Sequence, residues 1–163
     1  MNSVVAGQQQ VEDERAMRLA LEEARRALEH GDVPVGALVI IGTTLVARRH
    51  NERERAQDPT AHAELLALRD AAAQVGSWRL EDATVVVTLE PCPMCAGALV
   101  AARVRRVIFG AADPKAGACG SLYNLLADPR LNHEAPVIGG ILEATCQEML
   151  VEFFATRRAE ERW

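Results

Sequence analysis

The chain predicts an α/β fold, a three-layer α/β/α sandwich around a mixed central sheet. An amphipathic helical stretch opens it, and two β-rich runs separated by a glycine follow. After them strands and helices alternate in the βαβ manner that builds parallel pairs. With 163 residues, 49% of them hydrophobic, the chain can bury one good core and is short for two. One domain over residues 13–163 is expected, with residues 1–12, which hold the "QQQ" run, as a disordered lead-in.

From Glu12 to His30, Met17, Ala20, Leu21, Ala24, Ala27 and Leu28 fall at helical spacing and "HGD" supplies a glycine stop. "VGALVII" and "TTLVARRH" read as a hairpin pair about Gly42, and "ERERAQDP" as the loop after it. Thr60 is placed to cap a helix from about Ala61 to Val75. "ATVVVTLE" is a continuous buried strand, "PMCAGALVAARV" the next helix and "RRVIFGA" a further strand. "DPKAGACGS" is a glycine-bearing loop, "LYNLL" a short helix, and Leu142 to Glu160 a terminal amphipathic helix. The order of the strands does not follow from the sequence.

A formal net charge of −5 lacks the basic footprint of a nucleic-acid binder, so any such role must rest on local clusters. "MNSVVAGQQQ" lacks a secretory signal, and no run approaches the roughly 20 apolar residues of a membrane span. A cytoplasmic location without membrane association is the default expectation. Four cysteines are too few and too unevenly spaced for a secreted disulfide framework, and Cys119 and Cys146 read as buried, unreactive thiols.

The chemistry collects where two helices begin, at "DPTAHAE" and at "EPCPMC". His62 opens one helix and Cys92 and Cys95 the next, and the i, i+3 spacing puts both sulfurs on one face. One imidazole and two thiolates are donors that zinc prefers, and a helix N-terminus favours thiolate over thiol. A structural zinc site takes four protein ligands; a catalytic one keeps three and leaves a position open. His30, His50 and His133 stand outside any such motif, so three ligands are found. Glu64, two residues after His62, is placed to take and pass on a proton from a zinc-activated water. Taken singly, His62 would be an ordinary helix-start residue, Glu64 a first-turn acid and the CxxC a redox pair. Jointly, H-x-E with P-C-x-x-C points to a catalytic zinc site.

The stretches "NERERAQDPTAHAELLALRDA", "ATVVVTLEPCPMCAGAL", "RVRRVIFGAADPKAGACGSL" and "LNHEAPVIGGILEATCQEMLVEFFATRR" closely resemble the bacterial tRNA-specific adenosine deaminases of the cytidine-deaminase-like superfamily, from about Glu14 to Arg158. The resemblance implies that fold, one zinc ion per subunit, a homodimer, and conversion of adenosine to inosine at the wobble position of a tRNA anticodon. It gives Glu64 the proton transfers and Asn51 a hydrogen bond to the flipped-out base. Asp113 and Lys115 match loop positions that contact RNA, Phe153 or Phe154 is placed to stack on a base or to sit in the core, and Arg157 and Arg158 join the basic residues that would hold an anticodon stem-loop. The residue before Asn51 is His50, where these enzymes often carry an aromatic. A deaminase of free guanine or cytosine on the same zinc core is the nearest rival, and a noncatalytic zinc-stabilised binding domain the more distant one.

Overall fold

The computed structural model describes residues 2–160, with side chains from residue 6 onward. Helix α1 (Asn2–Arg25) passes into a 3₁₀ turn (Arg26–His30) that Gly31 ends with φ +75°. That left-handed conformation is one glycine adopts without a Cβ clash. Strands β1 (Gly36–Ile41) and β2 (Thr44–His50) form the expected hairpin. The short helix α2 (Arg53–Ala56), α3 (Ala63–Val75), β3 (Ala83–Leu89), α4 (Pro93–Ala101), β4 (Arg106–Ala111), β5 (Val137–Ile138) and α5 (Glu143–Glu160) complete the chain.

The five strands lie in the order β2-β1-β3-β4-β5. The β1–β2 and β1–β3 pairs are antiparallel and the β3–β4 and β4–β5 pairs parallel, so the sheet is mixed as expected. The alternation of β3 explains the two faces. Val85 and Val87 join the core under α3 and α4, while Val86, one residue out of phase, joins the core under α1 and α5. Each such fully buried side chain contributes about 1.5–3 kcal/mol of burial energy. Alanines at 63, 67 and 71 on α3 and at 96 on α4 let both helices lie close on the sheet.

Register places the site. Gly36 at the start of β1 pairs with His50 at the end of β2, Ala37 pairs with Val87 near the end of β3, and Leu89 pairs with Ala111 at the end of β4. The C-terminal ends of β2, β3 and β4 therefore meet at one edge of the sheet, where open α/β sheets hold their ligands. Among the described residues no helix is long and apolar enough to cross a membrane.

Several local expectations change. The segment expected to be a disordered lead-in is helical from Asn2, with the Gln9 amide donating to Asp13 and that of Gln10 to Glu14 one turn on. Glutamine is a good helix former, and a polar run suits an exposed helix as well as a coil. Part of "ERERAQDP" is the one-turn helix α2. Helix α3 starts at Ala63, because the Thr60 hydroxyl donates to Asp58 and leaves the cap position to His62. Helix α4 ends at Ala101, and "LYNLL" yields only a 3₁₀ turn at Leu125–Ala127.

Candidate active site

His62 and Cys92 occupy equivalent places. Each is the extended N-cap residue of a helix, and His62 makes no side-chain cap bond to its own helix, while the Cys92 thiol meets Cys95 one turn into α4. Both are free to turn toward each other across the end of β3. Pro93 at the first position of α4 fixes that helix's start and puts Cys95 one turn inside it, fully buried.

The three donors converge. His62 Nδ1 lies 3.7 Å from Cys92 Sγ and 3.5 Å from Cys95 Sγ, and the ligating atoms all lie within 4.8 Å of one another. Tetrahedral zinc with ordinary bond lengths to one imidazole and two thiolates requires N···S separations of about 3.6 Å, so the spacing fits. Among the described residues no fourth donor joins the group. The donor set leaves a coordination position for a small molecule.

The charges fit a cation as well. Hydrogen bonds with Cys95 and then His62 lower the Cys92 thiol to about 4. The same contact with Cys92 raises Cys95, and its bond to Cys92 raises His62. Cys92 is thus the thiol set to ionise first, and a cation at the cluster would favour ionisation of Cys95 as well. The remaining cysteines behave as expected, since Cys119 and Cys146 are buried and burial pushes their thiols up to about 12 and about 11.

Glu64 is 4% exposed on the first turn of α3 and lies beside this cluster. Burial raises its carboxyl to about 7, near the value at which a group both takes and gives a proton at neutral pH. Asn51 follows β2 and is also buried. Its Oδ1 accepts the Ala63 N–H at 2.9 Å, which supplies α3 with a cap from twelve residues away. A backbone N–H demands an acceptor, so the amide orientation is settled and Nδ2 is left as the group to meet a ligand.

A cavity of about 210 Å³ opens beside Asn51, with Arg53, Phe153, Phe154 and Arg157 on its walls. The rings of Phe153 and Phe154 meet edge to face at 5.3 Å, with Phe153 half-buried and Phe154 exposed. The Arg157 guanidinium lies 5.5 Å over the Phe153 ring and donates to the Gly31 carbonyl at 2.6 Å. The structure thus brings Asn51, Phe153 and Arg157 to one groove. Arg158 is exposed on the same last turns of α5.

Asp113 and Lys115 stand on the loop after β4. Asp113 Oδ1 accepts the N–H groups of Lys115 and Ala116, so part of this carboxylate shapes the loop, while Lys115 is exposed. The organiser of that loop is a residue outside both motifs. Glu90, 2% exposed, accepts the backbone N–H groups of Asp113, Cys119 and Ser121 and the Ser121 hydroxyl. Burial alone would raise its carboxyl, but these donors outweigh burial and hold it below the ordinary carboxylate value. A Cβ on Gly117 would come within 2.4 Å of this carboxylate, so the loop closes over Glu90 only with glycine there. The signal in the sequence was an acid immediately before the P-C-x-x-C motif. Glu90→Gln turns one acceptor into a donor facing donors and is expected to destabilise the fold by about 1–3 kcal/mol, read from urea unfolding.

Residues 11–158 match the MafB19-like deaminase family. The chain is 50% identical over 151 residues to the tRNA-specific adenosine deaminase of Bacillus subtilis, covering 93% of this chain and 94% of that protein. A solved tRNA:A34 deaminase, studied for A-to-I editing at the wobble position of transfer RNA, superimposes with a TM-score of 0.80 at 42% identity, over 83% of this chain and 99% of its own. The guanine deaminase of Nitrosomonas europaea superimposes at 0.76 with 25% identity, over 87% and 84%. The fold is thus common to base and RNA deaminases, while the identity over nearly the full length singles out one group, and the chain belongs to the tRNA-specific adenosine deaminase family.

Proposed function

We propose that this chain hydrolyses adenosine to inosine at the wobble position of a tRNA anticodon, with one zinc ion held by His62, Cys92 and Cys95. The observation that carries the reading is the buried carboxyl of Glu64, raised to about 7 by burial, beside a three-donor cluster with no fourth protein ligand among the described residues. A zinc ion there supplies the Lewis acidity that lets water ionise at neutral pH. Glu64 would accept one proton of the water and deliver it to the ring nitrogen next to C6 as the oxygen adds to C6. It would then take the remaining proton from the new C6 hydroxyl and pass it to the amine, so that the C6–N bond breaks, ammonia leaves and C6 becomes a carbonyl. Asn51 Nδ2 donates to a ring-nitrogen acceptor of the flipped-out base and fixes its orientation, while its Oδ1 keeps α3 in place.

The groove beside Asn51 supports RNA over a free base. It is open, and an exposed aromatic and two arginines border it, which suits stacking and phosphate contacts with flanking nucleotides. In this reading Asp113 and the exposed Lys115, on the loop after β4, add further RNA contacts. Incubating the metal-loaded protein with anticodon stem-loops, free adenosine, guanine and cytosine tests it; inosine in the stem-loop alone is expected. Release of ammonia from free guanine or cytosine, with the RNA untouched, would replace it.

If Lys115, Arg157 and Arg158 hold phosphates, neutralising all three weakens stem-loop binding and lowers the slope of its salt dependence by about one for each phosphate no longer neutralised. Metal content stays unchanged. Binding titrations over a salt series check this, and the Arg157 variant also gives up its bond to Gly31. A homodimer and a cytoplasmic location complete the proposal, the first read by light scattering and the second by cell fractionation.

A further inference from the structure

Between α1, the Gly31 turn and β2 lies a group of titratable side chains that the reaction does not use. His50 Nδ1 is 2.7 Å from Glu23 Oε1, His30 Nδ1 is 2.7 Å from Asp32 Oδ2, and the two Nε2 atoms face each other at 3.2 Å. Glu23, Asp32 and His50 are buried, and His30 is 17% exposed. Arg48 and Arg26 pair with Glu23, and Glu52 Oε1 lies 3.6 Å from His50 Nε2.

The distances fix the number of protons. A ring nitrogen facing a carboxylate oxygen at 2.7 Å must carry a hydrogen, so both Nδ1 atoms are donors. The Nε2–Nε2 contact then needs one hydrogen between two nitrogens. All three contacts are satisfied together when the two rings share three N–H hydrogens. Removing the third sets two lone pairs against each other, and adding a fourth sets two N–H groups against each other. That count alone satisfies the contact, and the carboxylates of Glu23, Asp32 and Glu52 face the pair, with Arg26 and Arg48 paired to Glu23 and Arg49 and Arg55 to Glu52.

This contact joins two pieces of the substrate groove. His50 immediately precedes Asn51. Asp32, held by His30, accepts the N–H groups of Glu54 and Arg55 and so caps α2. Asp32, Asn51, Arg53 and Glu54 form one wall of the cavity beside the site. We propose that His30 and His50 are positioning residues that share a proton to set this wall, so that stem-loop engagement, and not the chemical step, depends on the protonation of the pair. The proposal rests on the RNA-deaminase reading.

Glutamine at position 30 gives the test, because its amide can donate to a neutral His50 or accept from a charged one. The wild-type protein, zinc-loaded, is expected to show a KM for the stem-loop that is lowest at intermediate pH and rises about tenfold on either side between about pH 5.5 and 8.5, whereas His30→Gln shows a flat KM and the wild-type kcat profile. In parallel, ¹⁵N-histidine spectra of the wild type should show one Nε2 hydrogen for the two rings where KM is lowest. Two Nε2 hydrogens or none at that pH would overturn the proposal, as would a KM profile that His30→Gln leaves unchanged. If His30→Gln does not fold, coincidence of the wild-type KM minimum with the single shared hydrogen decides. Absence of stem-loop turnover at every pH in the wild type removes the RNA reading and the proposal with it; turnover with an unaltered KM profile removes the proposal alone.

Discussion

Glu64→Ala and Glu64→Gln are expected to form inosine at least about 10²–10⁴-fold more slowly than the wild type while keeping zinc, fold and stem-loop binding. The carboxylate is not a ligand, and its removal from a buried position on α3 takes away a charge that burial disfavours, so stability has little to lose. Glutamine preserves shape but cannot accept a proton. Both proton deliveries, to the ring and to the leaving amine, fail with the same substitution, which is why the expected loss lies at or above the upper end of the range for one acid–base group. Single-turnover inosine formation, with metal measured on the same sample, is the assay. Near-normal rates in both variants would remove the mechanism even if the metal site were right.

Cys92→Ala and Cys95→Ala are expected to lose metal and activity together. With three protein donors, two remaining ligands hold zinc weakly, and occupancy should fall to a small fraction in both variants. The activity falls by more than about three powers of ten, because both the nucleophile and its proton carrier depend on the site. Stability should separate the two. Cys95 is fully buried and its removal leaves a cavity within α4, whereas Cys92 stands half-exposed at the cap and costs mainly the metal. Metal analysis and thermal unfolding with and without added zinc check this, and full occupancy in either variant would show that another ligand set holds the ion.

The parts legible in the sequence were those governed by short-range pattern. The run of β-branched residues in β3 and the H-x-E and P-C-x-x-C spacings each report on neighbours in the chain, and the structure places His62, Cys92 and Cys95 together as those spacings implied. What escaped depends on residues far apart. Nothing near Ala63 reveals that Asn51, twelve residues earlier, reaches over to cap it. β5 is two residues long and is formed by pairing with β4, which no local propensity announces. Glu90 stands just before the cysteines in the sequence, and what it holds is visible only once the 113–121 loop folds back over it.

The His62, Cys92 and Cys95 donor group hangs on two helix starts at the end of β3, while the loop after β4 and the end of α5 reach that frame through a few side-chain contacts. The 113–121 loop is clasped by the Glu90 carboxylate and by the Ala118 N–H on the Pro91 carbonyl, and the end of α5 is tied by Arg157 to the Gly31 carbonyl. Such an arrangement is modular. Segments 113–121 and 153–158 can be exchanged, lengthened or reshaped as cassettes while the hydrolytic chemistry goes on unchanged beneath them, provided that the clasp at Glu90 and Gly117 is kept. A library aimed at a new nucleobase or a different RNA should therefore vary those two cassettes and freeze residues 62–64 and 90–95.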